Sequence, residues 1–161
     1  LVEVVPQARF VLTLRDPYDW LTSLIDHSLR GQPAPTYVRL REIRHGADRV
    51  HPAAERPLAE AGLFTLDGYL RSWAERNERA LAVVPDERLL VVRTDQLGSR
   101  LGDIADFAGV ALSTLDATRT HEYAAPGRSG LLDQIDPAHV QERVLEHCRP
   151  LLERWFPERL A

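Results

Sequence analysis

The stretch ARFVLTLRDPYDWLTSLIDH, residues 8–27, constrains what this chain can fold into more than any other segment. Residues 9–14 are a short, almost continuously apolar run with a proline before it and Asp16-Pro17 after it, which predicts a strand buried on both faces of a parallel sheet. Asp16 as N-cap, Pro17 at the first helical position and Asp19 in the first turn fix a helix start directly behind that strand, and the pattern predicts helix over 17–30. Arg15 is thereby held at the carboxyl end of a parallel strand, where α/β sheets bind ligands. At about 100° per residue, Trp20, Leu21, Leu24, Ile25 and Leu29 share a broad apolar face, and Ser23 and His27 fall on the opposite side.

A second strand is predicted at RLLVV, residues 88–92, separated from the first by the helix, a polar segment at 31–64 and a helix over 66–84 that starts after Thr65. Strand and helix alternating at this spacing imply an α/β fold with a parallel sheet flanked by helices. Further on, 99–108 reads as a short helix stopped by Gly109, and 136–156 as a longer one capped by Asp136 with Pro137 at its first position. In that last helix Val140, Val144, Cys148, Leu151 and Trp155 recur at spacings that put them on one core-facing side, and Pro150 is expected to kink it. Two strands are too few for a doubly wound sheet. The missing ones are expected before Leu1, in a segment of about 60 to 110 residues.

An apolar content of 44% over 161 residues suffices for one domain spanning 1–161 with its own core. No run approaches the roughly 18 to 20 apolar residues of a membrane span, and LVEVVPQARF lacks the basic and apolar regions of a signal peptide. A cytoplasmic protein without a membrane partner is expected. The formal charge of -4 argues against a nucleic-acid partner, which requires a basic surface. Cys148 has no second cysteine to pair with and reads as a small core residue. All 20 basic residues are arginine, so any chemistry that needs a compact ammonium must be supplied from elsewhere.

An arginine at a strand end and a hydroxyl two turns into the next helix can converge on one anion, the guanidinium giving a forked contact and the serine one more donor. The alternative is that Arg15 pairs with a nearby carboxylate and Ser23 is simply exposed. A strand ending in Arg-Asp-Pro, with serine eight residues after the arginine, resembles the 3'-phosphate-binding motif of sulfotransferases that use 3'-phosphoadenosine 5'-phosphosulfate (PAPS), and Arg15 and Ser23 keep that interval. WAERNERALAVVPDERLLVVRTDQL, residues 73–97, is similar to that family's helix with Trp and Asn followed by a strand ending in an Arg-Tyr-Glu-Asp-Leu type sequence. LGDIADFAGV, residues 101–110, resembles its short helix closing on Phe-x-Gly-Val. The resemblance covers about residues 8–110, in the family's order.

It implies a P-loop NTPase-like fold that passes the sulfo group of PAPS to a hydroxyl or amine of a small-molecule acceptor, releasing 3',5'-bisphosphoadenosine (PAP), with no metal. Arg15 and Ser23 would hold the cofactor. The family's glycine-rich cradle with lysine, and its general base, precede the Arg-Asp-Pro strand, so the resemblance assigns no catalytic residue within 1–161 and places the P-loop part upstream. APGRSG, residues 125–130, is the candidate for the family's late glycine-rich loop, with Arg128 supplying charge, or else a mobile turn with a solvated arginine. His121 or Tyr123 would stack on adenine. Thr94 stands where the family often has tyrosine. Arg93 either touches nucleotide or pairs with Asp95, and Asn77 is expected to be a hydrogen-bonded amide that pins a loop. His27 reads as a surface histidine near the site, and the remaining histidines have no metal-ligand spacing.

Residues 31–64 read as a substrate-lid insertion. In it Arg39, Arg41, Arg44 and Arg49 either meet an anionic acceptor or solvate a surface helix, and Tyr37 and Phe64 are candidates to line an apolar pocket. Two other functions remain open at this point: a non-catalytic nucleotide-binding module, and another P-loop relative such as a small kinase, which would prefer a nucleoside triphosphate with magnesium.

Overall fold

The β-branched and aliphatic residues of FVLTL and LLVVR form β1, Phe10–Leu14, and β2, Leu89–Arg93. In the computed structural model, which describes residues 2–30, 34–46, 50–116, 118 and 127–160, they pair in parallel from Phe10↔Leu89 to Leu14↔Arg93. Two compact units are present, Leu1–Asp16 with Arg76–Ala124 and Pro17–Glu75 with Ala125–Ala161. Helices and a small parallel sheet make this an α/β arrangement.

In the first unit Leu14 and Val92 are fully buried. The expectation that β1 is buried on both faces is corrected: Val11 is 41% exposed and Thr13 is exposed too. Among the described residues β1 has one neighbouring strand, and its side chains alternate between a covered and an open face. Arg88 ties the first residues to the sheet, donating from Nε to the Ala8 carbonyl (2.8 Å) and from Nη2 to that of Val5 (2.8 Å), with its guanidinium 5.5 Å from the centre of the Phe10 ring. Helix α5, Leu101–Ala108, follows a 3-10 turn at Gly98–Arg100. It ends at Gly109, whose φ of 73° lets the Val110 amide reach the Ala105 carbonyl at 3.0 Å. Arg9 lies over the Phe107 ring and donates to the Phe107 carbonyl, fastening the start of β1 to α5.

The second unit is helical. It holds α1, Pro17–Ser28; α2, Pro35–His45; α3, Arg56–Glu60; the first part of α4, Leu66–Val83; and α6, Pro137–Trp155. Leu21, Ile25, Leu58, Leu66, Leu70, Val144 and Leu152 form its apolar centre. Cys148 is buried among them, its Sγ 4.0 Å from the Leu70 carbonyl, as a core residue. Asp136 caps α6 by accepting from the Ala138 amide (2.9 Å), and Thr65 Oγ1 accepts from the Gly68 amide at the start of α4 (3.0 Å). A fully buried carboxylate, Glu55, completes that start: Oε2 accepts from the Leu66 amide at 2.9 Å and Oε1 meets His139 Nε2 at 3.1 Å. A carboxyl oxygen there accepts from a helix terminus whose amides have no partner within the helix. Segment 31–64 contains more helix than its uneven pattern suggested, because Pro35 and Pro57 each open a helix. No described helix is long and apolar enough to cross a membrane.

Candidate functional site

Helix α1 is the platform. Leu21 and Ile25 turn one face into the core, while Leu29 is 40% exposed, since α1 ends at Ser28 before the apolar spacing can carry that residue inward. On the helix, Thr22 and Ser28 spend their hydroxyls on carbonyls one turn back, those of Tyr18 (2.9 Å) and Leu24 (2.7 Å). Ser23 lies on the same helix and is half-buried. In the first unit, Arg15 follows the last residue of β1 and is exposed.

The structure brings Arg128 and α1 together through Asp26, a residue that sequence reasoning missed. Asp26 is buried, and its Oδ1 accepts from the Ser129 amide at 2.9 Å and from Ser129 Oγ at 2.5 Å. Arg30 Nη2 adds a donor to the Gly127 carbonyl at 2.7 Å. Gly130, at φ 68°, supplies the left-handed turn that lets the chain leave this contact. Burial pushes the Asp26 carboxyl up, but the Ser129 hydrogen bonds and then the charges of Arg30 and Arg128 outweigh it and hold it below its ordinary value of 3.8. The charges of Arg30 and Arg128 act on Asp26, while the Asp133 carboxyl lies beside Gly130 in the same turn.

Beyond the end of α1, a cavity of about 320 Å³ is lined by His27, Ser28, Arg30, Ala34, Tyr37 and Arg41. A second, of about 270 Å³, includes Ser28, Val38, Arg41, Glu42, Leu63 and Phe64 in its walls. Arg41 belongs to both. Its guanidinium carbon is 5.7 Å from the centre of the Phe64 ring, and its Nε is buried without a hydrogen-bond partner. Of the other lid arginines, Arg39 and Arg44 are exposed and Arg49 lies outside the described residues.

Several candidates serve the fold instead. Arg93 grips Asp95 with both sides of its fork, at 3.1 and 2.7 Å, the structural alternative for that residue. His139 holds Glu55 and His147 holds Asp67 (2.8 Å). Asn77 is half-buried, and His121, Tyr123 and the first two residues of APGRSG lie outside the described residues. Neither Asp26 nor Glu55 carried a sequence signal beyond being a carboxylate in a helical or polar stretch.

The sequence of residues 1–119 matches the family model of the sulfotransferase domain. The chain belongs to the sulfotransferase family. No curated protein and no solved structure matches it. The matched span includes β1, β2 and α1 through α5, and with them Arg15 and Ser23, but it stops short of the Arg128 turn.

Proposed function

We infer that this chain is a PAPS-dependent sulfotransferase acting on a hydroxyl or amine of a small molecule, built on a P-loop-type sheet. Arg15 and Ser23 receive the 3'-phosphate of the nucleotide, with Arg128 as a further cation. The observation that carries this reading is the docking of Ser129 on Asp26, because it seats a glycine-flanked arginine against the same helix that carries Ser23. Spacing alone could not link those segments.

PAPS supplies the activated sulfo group: the acceptor oxygen or nitrogen bonds to sulfur, the bond from sulfur to the phosphate oxygen breaks, and PAP leaves. What this chain contributes is retention and orientation of the nucleotide. Arg15 presents a planar fork, Ser23 a hydroxyl donor, and Asp26 holds the Arg128 turn in place. The 5'-phosphosulfate cradle and the general base are left unassigned, since the chain has no lysine.

Titration with PAP, with adenosine 5'-monophosphate and with ATP plus magnesium tests the reading. PAP should bind best, and Arg15→Ala should weaken PAP by about 1.5–3 kcal/mol, the range for a hydrogen bond to a charged group, while leaving the monophosphate unaffected. Ser23→Ala should cost less, and Arg15→Lys should recover only part of the loss. Preference for ATP with magnesium would turn the reading toward a kinase, PAP binding without transfer toward a non-catalytic module, and an unchanged PAP affinity in Arg15→Ala would overturn the site.

A further inference from the structure

The cavity at the end of α1 has a one-sided chemistry. Its ionisable lining is His27, Arg30, Tyr37 and Arg41, with no carboxylate among the described lining residues. Arg30 is partly spoken for, donating to the Gly127 carbonyl and facing Asp26. Arg41 is different. Phe64 stacks under its guanidinium, Phe64 in turn meets the fully buried Tyr69 edge-on at 5.8 Å, and the Tyr69 hydroxyl accepts from the Phe64 amide at 3.3 Å. The guanidinium lies over the Phe64 ring of this pair, and its Nε–H, one half of its forked edge, is buried and unpartnered. Leaving such a donor unmade costs free energy unless a ligand takes it.

We propose that Arg41 is the specificity-determining residue of an acceptor pocket that selects small molecules carrying an oxyanion, which its guanidinium receives. The oxyanion sits in the cavity of His27, Arg30, Tyr37 and Arg41, and the apolar body of the molecule lies across Arg41 against Val38, Leu63 and Phe64, in the cavity whose wall also holds Glu42. A volume of about 320 Å³ is at the lower end of the range of small-molecule sites, about 300 Å³ upward. This rests on the sulfotransferase reading only in calling the bound molecule an acceptor. Carboxylates and phosphate or sulfate esters share the required chemistry.

Binding of three probes of similar shape to the full chain tests this: para-hydroxyphenylacetate, para-hydroxyphenyl phosphate and the neutral para-hydroxyphenylacetamide, with PAP affinity measured alongside. At least one anionic probe should bind about tenfold or more tightly than the amide, and which one identifies the group. Arg41→Gln and Arg41→Met should abolish the preference, Arg41→Lys should restore part of it, and PAP affinity should change by less than twofold throughout. No preference in the wild type, survival of the preference in both Gln and Met variants, or a parallel loss of PAP affinity would overturn the proposal. If the wild type ignores PAP yet keeps an Arg41-dependent preference, the pocket stands and the donor assignment fails. If PAP binds normally and the preference is absent, the donor assignment stands and the pocket fails.

Discussion

Helices α1 and α2 belong to the same unit and have similar length, yet they are held in opposite ways. Among its 12 residues α1 buries Pro17, Leu21, Ile25 and Asp26, spaced along its whole length. By contrast α2 buries only its last residue, His45, and leaves Tyr37, Val38, Leu40 and Ile43 between 37% and 74% exposed. The first helix is anchored along its whole length. The second is fastened at one end only, with Arg41 one turn from that end, so it can adjust over the cavities while Arg41 stays placed. On the proposed reading, a helix anchored along its length suits the donor molecule, and a helix anchored at one end suits an acceptor that has to enter and leave.

The strongest way to break this comparison is to damage the platform. Ile25 is 1% exposed, so Ile25→Ala should lower stability by about 2–5 kcal/mol through lost burial and a residual cavity. Urea denaturation measures it. A loss under about 1 kcal/mol would mean that α1 is no better anchored than α2.

Next in size is the single anchor of α2. A Cβ built on Gly68 would sit 2.2 Å from the His45 carbonyl oxygen and 3.2 Å from Thr65 Oγ1, so α4 and the end of α2 touch where no side chain fits. His45 itself packs against the rings of Tyr69 at 5.0 Å and Phe64 at 5.8 Å. Gly68→Ala should therefore push the end of α2 away, costing about 1–3 kcal/mol for overpacking, against which better helix propensity returns about 1 kcal/mol. The expected signature is a lower urea midpoint together with faster proteolysis after Arg39 and Arg44. A raised midpoint would show that the helix end is not held there.

The contrast also separates what the sequence could reveal from what it could not. Local rules sufficed for the Asp16-Pro17 helix start, the Asp136 cap and the Gly109 stop, because each is decided within about two turns of chain. Helix α2, raised only as a surface-helix alternative for the arginines of 31–64, gave no clear period because periodicity detects burial, and its apolar residues are mostly exposed. Asp26 and Ser129 are 103 residues apart, and Glu55 is 84 from His139; nothing local distinguishes these carboxylates from solvated ones. The open face of β1 was misjudged for the related reason that an apolar run reports composition and not the number of neighbouring strands.

A smaller effect tests the platform's electrostatics. The Asp26 carboxyl lies below its ordinary value of 3.8, since the Ser129 bonds and the arginine charges more than offset burial. A depressed acid contributes stability that is fully present above its unfolded value and is lost as pH falls through the folded one. The stability difference between wild type and Asp26→Asn should accordingly be constant near neutrality and shrink as pH drops below 3.8. Urea midpoints of both proteins at roughly pH 6 and roughly pH 3 measure it. A difference that stays flat, or grows in acid, would mean that the carboxylate charge does not hold the Arg128 turn.

The smallest effect sharpens the comparison most. Ile43 on α2 is 74% exposed, and a residue that keeps most of its surface in water contributes little to the folded state of its own chain. Ile43→Ser should change stability by no more than about 0.5 kcal/mol, the ordinary range for surface positions, although isoleucine and serine differ far more in hydrophobicity than the two residues of Ile25→Ala. The same chemical kind of residue would then matter strongly on one helix and hardly at all on the other, which isolates anchoring from composition. Denaturation at several protein concentrations is the measurement. A loss above about 1 kcal/mol that grows with concentration would mean that a second copy covers the exposed face of α2, and one that does not would mean that α2 is packed along its length after all.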